Sequence, residues 1–361
     1  MNTSTNQNNK EQFRKPVLPL EVIAMEMISP SGANAIQSAA VVRAGISAYA
    51  SSSIINTQHR PITMALVPDE ALPPLEEKLA EIPGITARQK RMLKLATLPL
   101  QQLVKSYTGK IPLPLLLAVP EKLPGRRSVV DDNFLKLLQV QSKVKLDLTN
   151  SYLFPGGRAG SFEAIEGAML MVEQGISPYV IVGAVDSYID LTLLDSLSRH
   201  GRVLAEGCQD GFAPAEGAAF IVVKAATENS KNLLLPPGIA EEVGHRYSNE
   251  PYKGEGLAVA VTEALEHLKH GHIKTILAGF NGESFNSKEW GVSVIRNSEK
   301  LDPQHDLFHP ADCFGDTGAA LGLMLVQLGI IGLSKGYYKG PLMAWCSSEL
   351  APRGAICIAE A

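Results

Sequence analysis

The chain has 361 residues, of which 45% are hydrophobic, so it can bury a large core as one α/β unit or as two fused halves. Its formal net charge of −4 gives no basic face for nucleic acid, which is not expected as a partner. Four cysteines lack CxxC spacing, the N-terminus is polar, and no run of about eighteen apolar residues occurs. These features predict a cytoplasmic protein with reduced thiols and no membrane span, metal or cofactor site.

Strand and helix patterns alternate along the first part of the chain. Residues 1–16 are rich in Asn, Thr and Gln and predict a disordered tail. Apolar runs that predict strands lie at 20–29, 62–68, 114–120, 149–154, 179–187 and within 210–226. Helical spacing marks 33–45, 75–108, a stretch from Asp131, a stretch after Arg158 and a short one near 190–202. Pro83-Gly84 and Pro99 are predicted to interrupt the helical region at 75–108.

A similar order restarts after a linker around 227–238. The predicted elements are a helix over 255–271, a strand over 275–280, a helix around 285–298, a glycine-rich turn over 313–322, an apolar helix to about Gly329, and strands within 342–348 and 354–361. Alternation in both parts predicts an α/β fold. We expect one globular unit of two similar halves, 17–228 and 229–361.

The stretch 151–187 reads as strand, glycine-rich turn, helix, loop and strand. A turn that feeds a helix N-terminus is where many α/β enzymes place a nucleophile, because the positive end of the helix favours a thiolate or an oxyanion. Here the turn contains Arg158 and no cysteine. The stretch therefore has the outline of a nucleophile site without the nucleophile.

Five segments resemble, in order and approximate spacing, motifs of the β-ketoacyl-ACP synthases of the thiolase-like superfamily. They are SPSGANAIQSAAVVRAGISAY (29–49), AIEGAMLMVEQGISPYVIVGAVDS (164–187), DGFAPAEGAAFIVVKA (210–225), FNGES (280–284) and FGDTGAALG (314–322). The resemblance implies a five-layered αβαβα fold of two similar halves, usually a homodimer in which the strand around 149–154 pairs across the dimer axis. It also implies Claisen condensation, in which a cysteine thiolate takes the acyl group and two histidines assist.

Carrying the family's residues over one at a time removes that chemistry. The position of the cysteine falls on Arg158, that of the first histidine on Asn281, and that of the second on Asp316. The lysine expected five residues before the second histidine is Ala311, and SSELAPRG (347–354) replaces the C-terminal glycine-rich loop. A guanidinium does not accept an acyl group, and an amide and a carboxylate do not replace two imidazoles near neutral pH. The resemblance thus implies a lost triad with no catalytic residue in its place.

By the family's geometry, these three positions converge. We therefore predict a buried ion pair between Arg158 and Asp316, with Asn281 hydrogen-bonded to it, because a buried arginine without a carboxylate is costly. The alternative is that Arg158 binds an anion, such as a phosphate or the phosphopantetheine of an acyl carrier. An open tunnel to Arg158 would favour the anion, and a filled pocket the ion pair.

Other candidate residues have plainer interpretations. Ser161 is predicted to cap its helix, because no histidine falls in the resembling pocket to activate it. Cys313 with His309 is interpreted as a packed thiol, because no third group orients them. Asp210 and Glu216 are predicted to hold their loop through hydrogen bonds.

The function predicted first is a catalytically inactive ketosynthase-like protein that acts as a scaffold or adaptor. The segments VRAGIS (42–47), ALVPDEALPPL (65–75) and PADCFGDTGAA (310–320) resemble degenerate synthase-like proteins of type VI secretion gene clusters. That resemblance implies protein partners, such as a secretion effector or adaptor, and a homodimer. Two alternatives stay open: an acyl-thioester-binding acyltransferase or hydrolase with a repurposed pocket, and a chain-length-factor-like partner of an active synthase.

Overall fold

The computed structural model of the chain describes residues 18–107, 109, 112–208 and 210–359. The predicted disordered tail, 1–16, lies outside the described residues. The strands are β1 (Leu20–Ile28), β2 (Ala50–Ile55), β3 (Pro61–Met64), β4 (Leu115–Ala118), β5 (Tyr152–Phe154), β6 (Tyr179–Ser187), β7 (Glu216–Ala225), β8 (Leu233–Leu234), β9 (Gly238–Glu241), β10 (Ile273–Ala278), β11 (Leu301–Phe308), β12 (Leu342–Ser347) and β13 (Pro352–Ala359).

Helices alternate with most of these strands. They are α1 (Ala35–Arg43), α2 (Glu77–Ala80), α3 (Ala87–Ser106), α4 (Phe134–Ser142), α5 (Gly160–Glu173), α6 (Leu191–Arg199), α7 (Glu255–Glu266), α8 (Ser284–Asn297), α9 (Ala311–Phe314) and α10 (Leu321–Ser334). A 3₁₀ turn leads directly into each of two long helices: Gly157–Ala159 precedes α5, and Gly318–Ala320 precedes α10.

The two halves of the chain repeat one sheet topology. In the first half the neighbouring strands run β5-β4-β6-β7-β1, and in the second they run β11-β10-β12-β13-β9. In each set the first three strands are parallel and the last two join antiparallel. The two-residue strand β8 pairs with both β1 and β13 and connects the sets. This repeated order supports the duplication that the sequence suggests.

Helices cover the two strand sets in layers, which gives an α/β fold. Strand β8 joins the sets into one 11-stranded sheet in the described residues, and we call the sets the first and the second sheet. Helices α5 and α10 lie in the shared central layer, where their apolar side chains form one core with both sheets. Helices α3 and α4 cover the outer face of the first sheet, and α7 and α8 cover that of the second. Every residue of α10 from Leu321 to Leu333 is buried, as expected for a helix that is apolar on all sides.

One predicted interruption of a helix is wrong, and several strands were not predicted. Helix α3 continues through Pro99 from Ala87 to Ser106, although proline removes a backbone hydrogen bond. Met92, Leu95, Leu100 and Leu103 on this helix are buried in the outer core, and that packing outweighs the local preference. Strand β11 is one of those not predicted, because its polar, mostly exposed residues show no apolar alternation.

Candidate functional site

The site lies where the turns before the two central helices face each other. Arg158 is in the 3₁₀ turn that opens α5, and Asp316 lies two residues before the turn that opens α10. Gly157 and Gly318 begin these turns with φ of 58° and 56°, a backbone conformation that favours glycine. A Cβ on Gly318 would lie 2.1 Å from a carboxylate oxygen of Asp186, so the turn also needs glycine for space.

Arg158 and Asp316 form the ion pair that the sequence predicts. Arg158 Nε donates to both carboxylate oxygens of Asp316 at 3.0 Å, and Arg158 Nη2 also donates to Oδ2. Arg158 is 3% exposed and Asp316 is fully buried. Asn281, just after β10, donates from Nδ2 to Asp316 Oδ2 at 3.0 Å. The structure therefore brings all three predicted positions together.

The pair is part of a larger network that includes Glu349, Arg202 and Glu283. Arg158 Nη1 donates to Glu349 Oε1 at 3.0 Å. Arg202 donates to both oxygens of Glu349, at 2.8 and 2.9 Å, and to both oxygens of Glu283 at 2.7 Å. Asn281 connects Asp316 to Glu283, because its Nδ2 also donates to Glu283 Oε2 at 3.0 Å.

Arg246 completes the network at its outer end. Its side chain is 25% exposed and lies 3.2 Å from Glu283 and 3.8 Å from Glu349. Three guanidinium groups thus face three carboxylates, so the network is neutral. Burial of charge without such pairing would be strongly unfavourable.

The pKa values in the network follow from burial and from these neighbours. Burial lowers the pKa of Arg158, but the charge of Asp316, together with Tyr188 and Glu349, outweighs it and raises that pKa well above its usual value. Burial raises the pKa of Glu349, but Arg202 and Arg158 outweigh it and hold that pKa far below its usual value. Both groups therefore stay charged near neutral pH.

Little space remains beside Arg158. Tyr188 Oη accepts a hydrogen bond from Arg158 Nη2 at 3.1 Å. Glu121 accepts from the backbone N–H groups of Glu349 and Leu350, both at 2.9 Å. The pocket lined by these side chains is partly open to solvent and has a volume of about 40 Å³, which is room for a few water molecules. A surface groove of about 610 Å³ adjoins it and shares Glu121 in its wall.

Glu121 is the one buried carboxyl beside this network that has no guanidinium partner in the described residues. Burial raises its pKa to about 7; the hydrogen bonds from the loop lower that pKa, whereas the charge of Glu349 raises it. Because the network is already neutral, ionised Glu121 adds an unbalanced negative charge. This carboxyl therefore titrates near neutral pH and takes up a proton below it.

The cysteines do not supply a nucleophile to this site. Burial raises the pKa of Cys346, which lies near Arg158 and Asp316, well above its usual value. Burial also raises the pKa of Cys357, to about 12. Burial and Asp312 also raise the pKa of Cys313, so all three stay as thiols near neutral pH.

The remaining candidates have structural roles, one of them different from the prediction. Ser161 does not cap α5: the helix starts after Ala159, and the Ser161 hydroxyl donates to the carbonyl of Ala319 at 3.3 Å. The 3₁₀ turn runs directly into the helix and moves its start ahead of Ser161.

Asp210 accepts from Ser284 at the start of α8, and Glu216 accepts from the backbone of Val67, as predicted for loop-holding residues.

His309 contacts Asp312 rather than Cys313. Its Nδ1 lies 2.5 Å from the Asp312 carboxylate, and Cys313 is buried, which fits the packed-thiol interpretation. In the described ranges, no group of three or more His, Cys, Asp or Glu side chains is arranged to hold a metal ion. Among those same residues, no helix has both the length and the apolar character needed to cross a membrane.

The sequence analysis missed Glu349, Arg202, Arg246, Glu283 and Glu121. Glu283 and Glu349 lie in segments that it had singled out, 280–284 and 347–354, and a search there for acids to balance Arg158 would have found them. The other three carry no local signal, because only the tertiary structure brings them to the site.

Comparison with known proteins supports the fold. No family model and no curated protein matches the sequence. Solved ketosynthase structures match over 95% of the chain. A ketosynthase from module 6 of the bacillaene synthase of Bacillus subtilis 168 is 12% identical with a TM-score of 0.71, covered over 72% of its length. The ApeO ketosynthase in complex with its ApeC chain length factor, from Xenorhabdus doucetiae, is 13% identical with a TM-score of 0.71, covered over 98% of its length. The ishigamide ketosynthase/chain length factor is 12% identical with a TM-score of 0.73, covered over 99% of its length. The chain therefore has the thiolase-like fold of these ketosynthases.

We expect Arg158→Met to lower the free energy of unfolding by about 3 kcal/mol, because it leaves Asp316 as a buried, uncompensated charge. The double variant Arg158→Met/Asp316→Asn should lose less than the sum of the two single variants. Urea denaturation measures all three. Arg199→Met, in the exposed Arg199–Asp195 pair, is the control and should change the free energy of unfolding far less, because solvent screens an exposed pair. A coupled buried pair would be contradicted if Arg158→Met and Arg199→Met lowered the free energy of unfolding equally. It would also be contradicted if the double variant lost the full sum of its two single variants.

We expect Glu121→Gln to remove a pH dependence of stability. The pKa of Glu121 is about 7 in the folded state and 4.5 ordinarily. The stability that the protonated carboxyl contributes is therefore fully present below pH 4.5 and is lost as pH rises through 7. That difference corresponds to roughly 3 kcal/mol at most. The wild-type minus variant difference in unfolding free energy should therefore fall between pH 5 and pH 8. The exposed Glu228→Gln is the control, and an unchanged difference for Glu121→Gln across this range would disprove the assignment.

Proposed function

We propose that this chain is a ketosynthase-fold protein without condensing activity, which works by binding other proteins. The observation that carries the proposal is the Arg158–Asp316 ion pair with Asn281, at the three positions where the resemblance implies a catalytic triad. A guanidinium held by two carboxylates has no lone pair to attack a thioester. Among the hydrogen bonds of the described residues, none joins an imidazole to Arg158, Asn281 or Asp316 to move a proton. The groups that could be expected to react are instead bound to each other.

The small cavity supports the same proposal. About 40 Å³ beside Arg158 holds water but no acyl chain of more than a few atoms. Opening the space would require Arg158 to leave both Asp316 and Glu349. Asp316 would then be a buried carboxylate without a guanidinium partner, which is strongly unfavourable. The acyl-binding enzyme is therefore the weaker alternative, and its best support is the adjoining groove of about 610 Å³.

A protein partner fits what the related structures contain. Two of the compared structures are complexes of a ketosynthase with a chain length factor. A chain-length-factor-like role is accordingly the second candidate. We place the first candidate, an adaptor in the handling of a type VI secretion effector in the cytoplasm, on the resemblance of the segments 42–47, 65–75 and 310–320. The two halves, 17–228 and 229–361, form one unit in this proposal, and the edge of β5 is available for a homodimer.

The test of inactivity uses acetyl- and malonyl-pantetheine thioesters. We expect no acyl adduct on the purified chain by intact-protein mass spectrometry and no thiol release above the buffer rate, because no ionised nucleophile meets the substrate. An active β-ketoacyl synthase in the same assay is the positive control. An adduct on any residue, or turnover above buffer, would show that the pocket is an enzyme site.

The biological setting is tested by affinity capture from the native host, followed by mass spectrometry. Under the adaptor proposal we expect secretion components or an effector to co-purify with the chain. Recovery of an active synthase supports the chain-length-factor role instead. Recovery of acyl carrier protein alone speaks for the acyl-binding alternative and against both protein-partner roles.

A further inference from the structure

The surface between α1 and the end of α10 contains a groove that the fold leaves uncovered. Its walls come from α1 and the residue after it, from the last turn of α10 and from Tyr337, and its volume is about 490 Å³. We call it the α1–α10 groove; it is lined by Ile36, Ala39, Ala40, Arg43, Ala44, Ile331, Lys335 and Tyr337.

Helix α1 has an apolar side that faces solvent. Ile36, Ala40 and Ala44 recur every four residues and so lie along one face of the helix. Ile36 is 58% exposed, whereas Ala35 is buried against the core, and Ala39, which also lines the groove, is buried as well. The methyl side chains of the alanines leave a depression beside Ile36 instead of filling it.

The apolar surface continues beyond this groove. A second depression, of about 430 Å³, shares Arg43 and Tyr337 with it and is lined further along by Leu307 and Phe308. Leu307 and Phe308 are each 38% exposed, and Ile46, at 58%, lies just past the end of α1. An extended exposed apolar surface of this kind is typical of an interaction site.

The charges in the α1–α10 groove are all positive. Arg43 and Lys335 are its charged lining residues, and neither makes an ion pair among the described residues. Arg43 instead lies over the ring of Tyr337, 4.7 Å from its centroid. Both residues lie at helix C-termini, where the helix dipole favours positive charge. The apolar surface beside them remains uncovered.

The geometry favours a helix over an extended strand as the occupant. The groove runs between two helices, whose backbone groups are used within the helices. The nearby sheet edge at β11 is poor for adding a strand, because it contains Pro303 and its pairing with β10 shifts register between Leu301 and Asp306.

We propose that the α1–α10 groove binds an amphipathic helix of a partner protein, with apolar side chains against Ile36 and Tyr337 and carboxylates at Arg43 and Lys335. The inference rests on the proposed protein-binding function and adds the surface and the chemistry of the partner. Apolar anchors at helical spacing supply affinity, and the acidic residues select the partner and its orientation.

The test uses a fluorescein-labelled, stapled 14-residue helix that presents leucines on one face and glutamates beside them, and an identical helix with lysines for glutamates. Fluorescence anisotropy should show binding of the glutamate helix and at least about tenfold weaker binding of the lysine helix. Ile36→Asp and Arg43→Glu/Lys335→Glu should each weaken the glutamate helix about tenfold or more. Ile295→Asp, at a 77% exposed isoleucine on α8, is the matched control and should leave binding unchanged.

No binding of either helix, equal binding of both, or loss of binding in the Ile295→Asp control would overturn the proposal. So would light scattering that shows a dimer dissociated by Ile36→Asp, since a second copy would then occupy the groove. All substituted side chains are exposed, and thermal melts confirm that each variant folds. This outcome can be told apart from that of the thioester assay. If the chain turns over thioesters and still binds the helix, only the proposed inactivity is wrong. If it is inactive and does not bind the helix, only the groove proposal is wrong.

Discussion

The buried ion pair between Arg158 and Asp316 is the constraint on which the centre of the molecule depends. Its two partners lie 158 positions apart and belong to the turns that open the two central helices. The two ends of the pair are not equivalent. Asp316 lies at a helix N-terminus and accepts from the backbone N–H of Gly318 at 2.9 Å, which favours its charge. Arg158 lies at another helix N-terminus, where positive charge is disfavoured, so it needs the carboxylates around it.

This asymmetry explains why the network extends beyond the pair. Asp316 divides its oxygens among Arg158, Asn281 and Gly318, so a second carboxylate is required to satisfy the guanidinium. Glu349, in the loop between β12 and β13, supplies this second carboxylate, and it also pairs with Arg202. At that point two guanidinium groups balance two carboxylates. Glu283, which pairs with Arg202, adds a third carboxylate, and Arg246 balances it. Asn281 closes the network, because it donates to both Glu283 and Asp316. Each member offsets the desolvation of the next, so removal of one leaves a charge that no other member can neutralise.

The α/β class was predictable from the sequence because most strands and helices carry strong local signals, whereas the thiolase-like arrangement was predictable only through the family resemblance. The run at 179–187 coincides with β6, since a fully buried strand between loops has a clear apolar pattern. The Arg158–Asp316 pair was predictable only through the family resemblance, which supplies a spatial relation that spacing does not. Glu349 and Arg202 are 147 positions apart, and no periodicity connects them. Pro99 shows the reverse case, in which a clear local rule gives way to packing that only the tertiary structure reveals.

Helix α10 connects the charged centre to the open groove. Its first turn follows Asp316, and its last residues, Ile331 and Lys335 just beyond it, line the groove about 21 Å away at 1.5 Å per residue. Because the helix is buried from Leu321 to Leu333, it cannot bend or slide without disturbing both sheets. The ion pair fixes one end, and packing fixes the rest, so the groove has a defined shape. A fold held this rigidly around a buried ion pair is well suited to present a binding surface, since a preorganised surface loses less conformational entropy on association.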